Sequence, residues 1–370
     1  MRIFVFGSSL TSSYWNGAAT YYRGIYKNLA RLEFEITFAE PDAFGRQQHR
    51  DDEDFSYANV IVYQSPRDIK RLIRQASAAD LVIKHSGVGV HDALLEDCVL
   101  DCRSARTQVA FWDVDAPATL AAVEANVLHP FRALIPEYDY VFTYGGGPPI
   151  VRHYLELGAR ACNPIYNALD PETHHPVAPD PGLKCDLAFV GNRLPDRERR
   201  VEEFFLATAK ASPHHNFLLG GEGWGDKRLP ANVRWIGHVV TGDHNRVNCS
   251  ARMVLNINRE SMASVGFSPP TRVFEAAGAA ACFITDHWAG IEEFFTPGCE
   301  ILVARDAREI TDLLGTVDVR LAREIGEAMR RRALQEHTYV LRALQVREIL
   351  HHGSPGVPSS RVRELTRQLA

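Results

Sequence analysis

Apolar residues along the chain fall into short runs rich in Val, Ile, Phe and Tyr, separated by longer stretches with helical spacing. In the first half the runs are "RIFVFG", "EITFAE", "NVIVYQ", "DLVIKHS", "QVAFWDV" and "YDYVFTY". Helix-like segments at about 16–32, 66–78, 91–98, 117–127 and 149–158 lie between or after them. Such alternation predicts parallel strands joined by crossover helices and buried on both faces. The second half repeats it with "DLAFVGN", "HNFLLGG", "VRWIGHV", "MVLNIN", "CFITD" and "EILVA". Between the halves, "NPIYNALDP" leads into the proline-rich "DPETHHPVAPDPG", which disfavours both helix and interior strand and reads as a linker.

The fold class that follows is α/β, with two Rossmann-like domains facing across a cleft. The expected boundaries are 1–170 for the first domain, 171–184 for the linker, 185–335 for the second domain and 336–370 for C-terminal helices. Ligands of open parallel sheets bind beyond the carboxyl ends of the strands, so candidate chemistry is sought there.

The composition, 45% apolar and 24% charged with a mean hydropathy of −0.19, is that of a globular chain of 370 residues. No run approaches the ~20 apolar residues of a membrane-spanning helix, and the first strand has the wrong length and flanks for a signal peptide, so the chain reads as cytoplasmic. A net charge of −5 argues against broad nucleic-acid binding. Seven scattered cysteines without a CxxC pair, and fifteen dispersed histidines without HExxH, give no metal signature.

Gly7 and Ser8 follow the first strand, and Asn16 and Gly17 precede the next helix, an arrangement that suits an anion or merely turns the chain. The spacing fails GxGxxG, and GxxxxGK[ST] is absent, which argues against nicotinamide or P-loop sites. Arg193 and Arg197 flank the turn formed by Gly191 and Asn192, where two guanidiniums could neutralise a diphosphate. Arg199 and Arg200 read as surface pairs. In "GFSPPTRVFEAAGAAACFITDHWAGIEEFF", Glu275 falls on a short helix where its carboxylate could accept a ribose diol.

These segments, with "FVGNRLPDR", "WIGHV", "PPTRVFEAAG", "TDHWAGIEEFFTPGCEILV", "WNGAATYYRGI", "IKHSGVGV" and "YNALDPETHHPV", resemble the retaining glycosyltransferases of the GT-B fold in the group 1 superfamily, in a branch similar to CgeB-like spore-maturation proteins. The resemblance implies a hexosyltransferase that needs no metal or cofactor. Its co-substrate would be a nucleotide-diphosphate sugar, UDP-sugar first and GDP- or ADP-sugar next. Its acceptor would be a small molecule or glycan. It implies Arg193, Arg197 and Glu275 as the central residues. Gly7, Gly191, Asn192, Gly237, His238, Val239, Ser268, Arg272 and Gly290 would be on the donor side, with Ser8, Asn16, Gly17 and Asp115 toward the acceptor. The family's E-x7-E motif is broken, because Phe267 stands eight residues before Glu275; backbone N–H groups of "SVGFSPP" and Ser268 would have to serve instead. Three other readings remain open: a metal-binding Asp113-Val114-Asp115 pair, a non-catalytic nucleotide-sugar binder, and a UDP-sugar epimerase using His238 and Asp115. Tyr14, Trp15, Tyr21 and Tyr22 divide between sugar stacking and core packing, with core packing expected for at least two.

Overall fold

A computed structural model of the chain describes residues 1–51 and 53–352; residues 353–370 of the expected C-terminal helical segment lie outside the described residues. Contacts divide the chain into two units, one of Met1–Asn167 with Tyr339–His352, the other of Ala168–Thr338.

The first unit is a seven-stranded parallel sheet in the order β3-β2-β1-β4-β5-β6-β7. Its strands are β1 (Arg2–Phe6), β2 (Glu35–Pro41), β3 (Ala58–Tyr63), β4 (Leu81–His85), β5 (Gln108–Asp113), β6 (Tyr140–Thr143) and β7 (Cys162–Pro164). All six expected strands are present. The seventh pairs in parallel with β6; it is three residues long and ends in a proline, which an edge position tolerates. Strands β4 and β6 are buried throughout, as a sheet covered on both faces requires.

Helix Tyr339–His352 also packs in this unit, against helix Ala19–Arg31. Gly24 makes the approach feasible: a Cβ there would lie 2.3 Å from the Tyr339 ring. Tyr339 is fully buried, and Arg342 and Gln345 bond the carbonyls of Tyr166 and Pro164.

The second unit is a six-stranded parallel sheet in the order β10-β9-β8-β11-β12-β13. It is built from β8 (Cys185–Val190), β9 (Phe217–Gly220), β10 (Val233–Trp235), β11 (Ala251–Asn256), β12 (Phe283–Asp286) and β13 (Leu302–Ala304). All six were legible as apolar runs. One side of the sheet carries a core of Leu187, Phe189, Phe205, Phe217, Trp224 and Ile284. Each such side chain contributes roughly 1.5–3 kcal/mol by leaving water.

The proline-rich stretch is secured to this second unit at several points. Leu169 N–H bonds His337 O at 2.7 Å, the Thr173 carbonyl accepts from Asn245, Val177 N–H reaches Cys249 Sγ, and Asp180 N–H reaches Ser250 Oγ. Prolines remove the donors that would pair it as a strand, and side chains of helix Thr241–Ser250 supply partners instead.

Candidate active site

In the second sheet the chain leaves β8 toward β9 and returns on the other side as β11, so the topological switch point lies between the carboxyl ends of β8 and β11. The loop after β8 is fastened to the loop after β9. Gly191 N–H bonds Gly220 O at 3.0 Å, Arg193 N–H bonds Glu222 O at 2.9 Å, and Asn192 Oδ1 accepts from Glu222 N–H. Gly221 has a φ of 118°, and a Cβ there would lie 2.3 Å from Gly191 O, so the stacking of the two loops excludes a side chain.

Three arginines with different electrostatic situations meet around this point. Arg193 is neutralised by Glu198 at 2.8 Å and Asp226 at 2.7 Å, bonds that raise its pKa, and it also donates to Gly223 O. Arg197 is 8% exposed and has no carboxylate within ion-pairing distance among the described residues; its one hydrogen bond, to Asn192 O, is a long 3.5 Å. Its Nε has no hydrogen-bond partner there either. Burial, then repulsion from Arg272, pulls its pKa down to about 9. Arg272 bonds Asn256 Oδ1 and Ile257 O at the end of β11 and lies over the Phe189 ring. A buried guanidinium without a counter-ion is costly unless an anion completes it. Of the two arginines expected to hold a diphosphate, Arg197 is the one without a carboxylate at ion-pairing distance among the described residues, whereas Arg193 orders the loop.

Arg200 departs from the surface pair expected. It reaches Asp286 at the end of β12 at 2.6 Å, and Asp286 is fully buried. The carboxylate also accepts from Asn258 N–H. Arg199 does make the expected exposed pair, with Glu203.

Glu275 lies on helix Thr271–Gly278 and is 7% exposed. His244 Nδ1, on helix Thr241–Ser250, lies 3.0 Å from its Oε2, and the carboxylate makes no other hydrogen bond among the described residues. Burial alone would raise the Glu275 pKa, but His244 above all, with help from His174 and Arg272, holds it at about 2. His174 comes from the proline-rich stretch, and its ring stacks on His244 with centroids 6.3 Å apart. Gly278 makes that placement feasible, since a Cβ there would lie 2.5 Å from His174 O. Neither histidine was singled out in the sequence: His174 lies within the quoted segment "YNALDPETHHPV" but received no role, and no local motif marks His244.

The remaining donor-side candidates fall in two loops. Gly237, with φ of 74°, and exposed His238 precede Val239, which packs where a Gly220 Cβ would be; this loop runs directly into the helix that bears His244. Phe267 adopts a left-handed φ of 48°, unusual for a side-chain-bearing residue, and its ring lies over Gly290, where a Cβ would be 2.1 Å away. Two groups expected to face a sugar are engaged by backbone carbonyls. Ser268 is 2% exposed and donates its hydroxyl to Gly266 O, and Phe267 N–H is taken by Ala289 O. Both groups donate to these carbonyls and stabilise the loop.

In the first unit the switch point lies between β1 and β4. Gly7 is explained by packing, since a Cβ there would strike the Phe38 ring at 2.3 Å. Asn16 is buried, accepts from Ser8 Oγ and donates to the carbonyls of Ser9 and Ser12, so it shapes the loop. Gly17 is exposed, with open space around its α-carbon. Asp115 is the residue before helix Ala116–Ala125 and donates its N–H to Asp113. Asp113 is fully buried and accepts from Ser86, Tyr154 and Thr119. Burial raises its pKa. Tyr21 and Tyr22 are core residues, whereas Tyr14 and Trp15 are exposed.

Residues 197–348, less than half of the chain, match a protein-family model described as glycosyl transferase-like. No curated protein sequence matches the chain. Among solved structures, HepE of Anabaena in complex with UDP-glucose superposes with a TM-score of 0.66 at 12% identity, covering 95% of this chain and 99% of that one. Sucrose-phosphate synthase from Thermosynechococcus elongatus gives 0.67 at 13% identity, over 95% and 98% of the two chains. An α-glucosyltransferase in complex with UDP-glucose and DNA gives 0.70 at 11% identity, over 95% and 99%. The chain therefore has the GT-B architecture of two parallel-sheet α/β domains, and residues 197–348 are glycosyl transferase-like in sequence.

Proposed function

We propose that this protein is a glycosyltransferase that moves a sugar from a nucleotide-diphosphate donor, UDP-sugar foremost, to a small-molecule or glycan acceptor, with retention and without a metal. The observation that carries the reading is Arg197, a buried cation without a carboxylate partner among the described residues, set at the switch point of the second sheet with Arg272 beside it. Solved complexes of HepE and of the α-glucosyltransferase contain UDP or UDP-glucose, which favours uridine.

Departure of a nucleoside diphosphate develops negative charge on its terminal phosphate while the sugar becomes oxocarbenium-like. Arg197 and Arg272, fixed before the reaction, stabilise that charge without reorganising. Glu275 accepts the ribose hydroxyls through the oxygen that His244 leaves open, and the loop Gly237–Val239 lies toward the base. Where the family motif has its first glutamate, Phe267 gives an apolar contact, so sugar recognition differs from the motif-bearing members. Incubation with a panel of UDP-sugars in EDTA, read as UDP release and as the anomeric configuration of the product by NMR, tests the reading. Retained donor binding with no turnover on any acceptor would favour a non-catalytic binder.

A further inference from the structure

Glu275 is a carboxylate with almost no solvent, and the groups that act on it most strongly among the described residues come from three elements. Helix Thr241–Ser250 contributes His244, 3.0 Å from Oε2. The stretch after Leu169 contributes His174, stacked on His244 and 2% exposed, with Asp170 acting on that ring as well. Its own helix contributes Arg272. The neighbouring elements thus offer Glu275 one direct cation, on a single oxygen.

We propose that His244 is a positioning residue for donor binding: as an imidazolium it keeps Glu275 ionised in a buried site and fixes its rotamer, so that the second oxygen is presented to the ribose diol. The inference rests on the donor-site reading of Glu275 and extends it to a residue that touches no substrate. His174 stacks on the His244 ring, and burial lowers its own pKa. Protonation of His244 is favoured by Glu275 and the Val239 backbone, which together outweigh burial. The same ring therefore ties the loop assigned to the base to the residue assigned to the ribose.

A purely structural histidine and one that maintains a charge differ in pH behaviour. Without the imidazolium, burial raises the Glu275 pKa toward the working range, and a protonated acid is a poorer acceptor for two hydroxyls. The test is UDP affinity by calorimetry from pH 5 to pH 8 for the wild type, His244→Gln and Glu275→Gln, each expressed as a ratio to wild type so that the titration of UDP cancels. Circular dichroism confirms folding, and His174→Ala serves as a second, milder variant that removes the ring stacked on His244.

His244→Gln is expected to bind more weakly, with the deficit growing by about tenfold or more toward pH 5. Glu275→Gln is expected to be weak with no such slope, and His174→Ala to show a smaller slope of the same sign. A flat ratio for His244→Gln across the range overturns the inference while leaving the donor-site reading intact. Unchanged UDP affinity in Glu275→Gln, or no UDP binding by the wild type, overturns both.

Discussion

Arg200 Nη2 and Asp286 Oδ2 are 2.6 Å apart, joining the helix after β8 to the end of β12. The pair is mostly enclosed, with the carboxylate fully buried and the arginine side chain 15% exposed. Breaking it by Arg200→Ala leaves an uncompensated buried carboxylate and is expected to cost about 3–5 kcal/mol in urea denaturation at pH 7. Burial already raises the Asp286 pKa above its ordinary 3.8 despite Arg200. Stability linked to the protonated form is thus fully present below 3.8 and lost as pH rises through the folded value. Removing Arg200 pushes that value up further, so the deficit should shrink as pH falls from 7 to 5. A deficit independent of pH would show that Asp286 is not the group left exposed to the loss.

Arg197 makes the opposite prediction. Its guanidinium is buried and pulled down to about 9, so removing it relieves a desolvation cost. Arg197→Ala should keep or raise the apo melting temperature while losing UDP affinity by about two orders of magnitude, in line with a charge-assisted bond to phosphate. Loss of both folding and binding would make it a structural residue.

The Glu275–His244 pair should leave a window in the stability profile. Glu275 is held at about 2 against an ordinary 4.5, so its contribution is full above 4.5 and lost as pH falls through about 2. His244 is raised above 6.5, so its contribution is full below 6.5 and lost as pH rises through the folded value. The stability gap between wild type and His244→Gln, from urea curves, should be widest between pH 4.5 and 6.5. A gap that widens toward pH 8 would contradict the pairing.

Gly278 gives a packing prediction. A methyl there would sit 2.5 Å from a backbone carbonyl, that of His174, which cannot swing aside. Gly278→Ala should destabilise by about 1–3 kcal/mol and weaken UDP binding, whereas alanine at the open Gly242 on helix Thr241–Ser250 should do neither.

The strands were legible because a strand covered on both faces must be apolar at nearly every position, a constraint local to a few residues. β7 escaped because an edge strand of three residues carries too little of that pattern. At the site, Arg197 and Glu275 could be nominated from sequence because their positions relative to a strand end or a family motif are local. The character of Arg200 was misread because its neighbours in sequence are glutamates, while its buried partner is 86 residues away. The roles of His244 and His174 went unread for the same reason, although His174 lies in a quoted segment: they exist only after folding brings helix Thr241–Ser250 and the proline-rich stretch against helix Thr271–Gly278. Ser268 shows the converse. Its residue type suited a sugar contact, but the left-handed turn at Gly266 and Phe267 points its hydroxyl inward.

The most direct test of the account is UDP affinity in EDTA, by calorimetry, for the wild type, Arg197→Ala and Glu275→Gln. The account predicts measurable binding by the wild type with EDTA present, and strong loss in both folded variants. Binding that requires a divalent metal, or that survives both substitutions, would contradict the assignment of the donor site to Arg197 and Glu275.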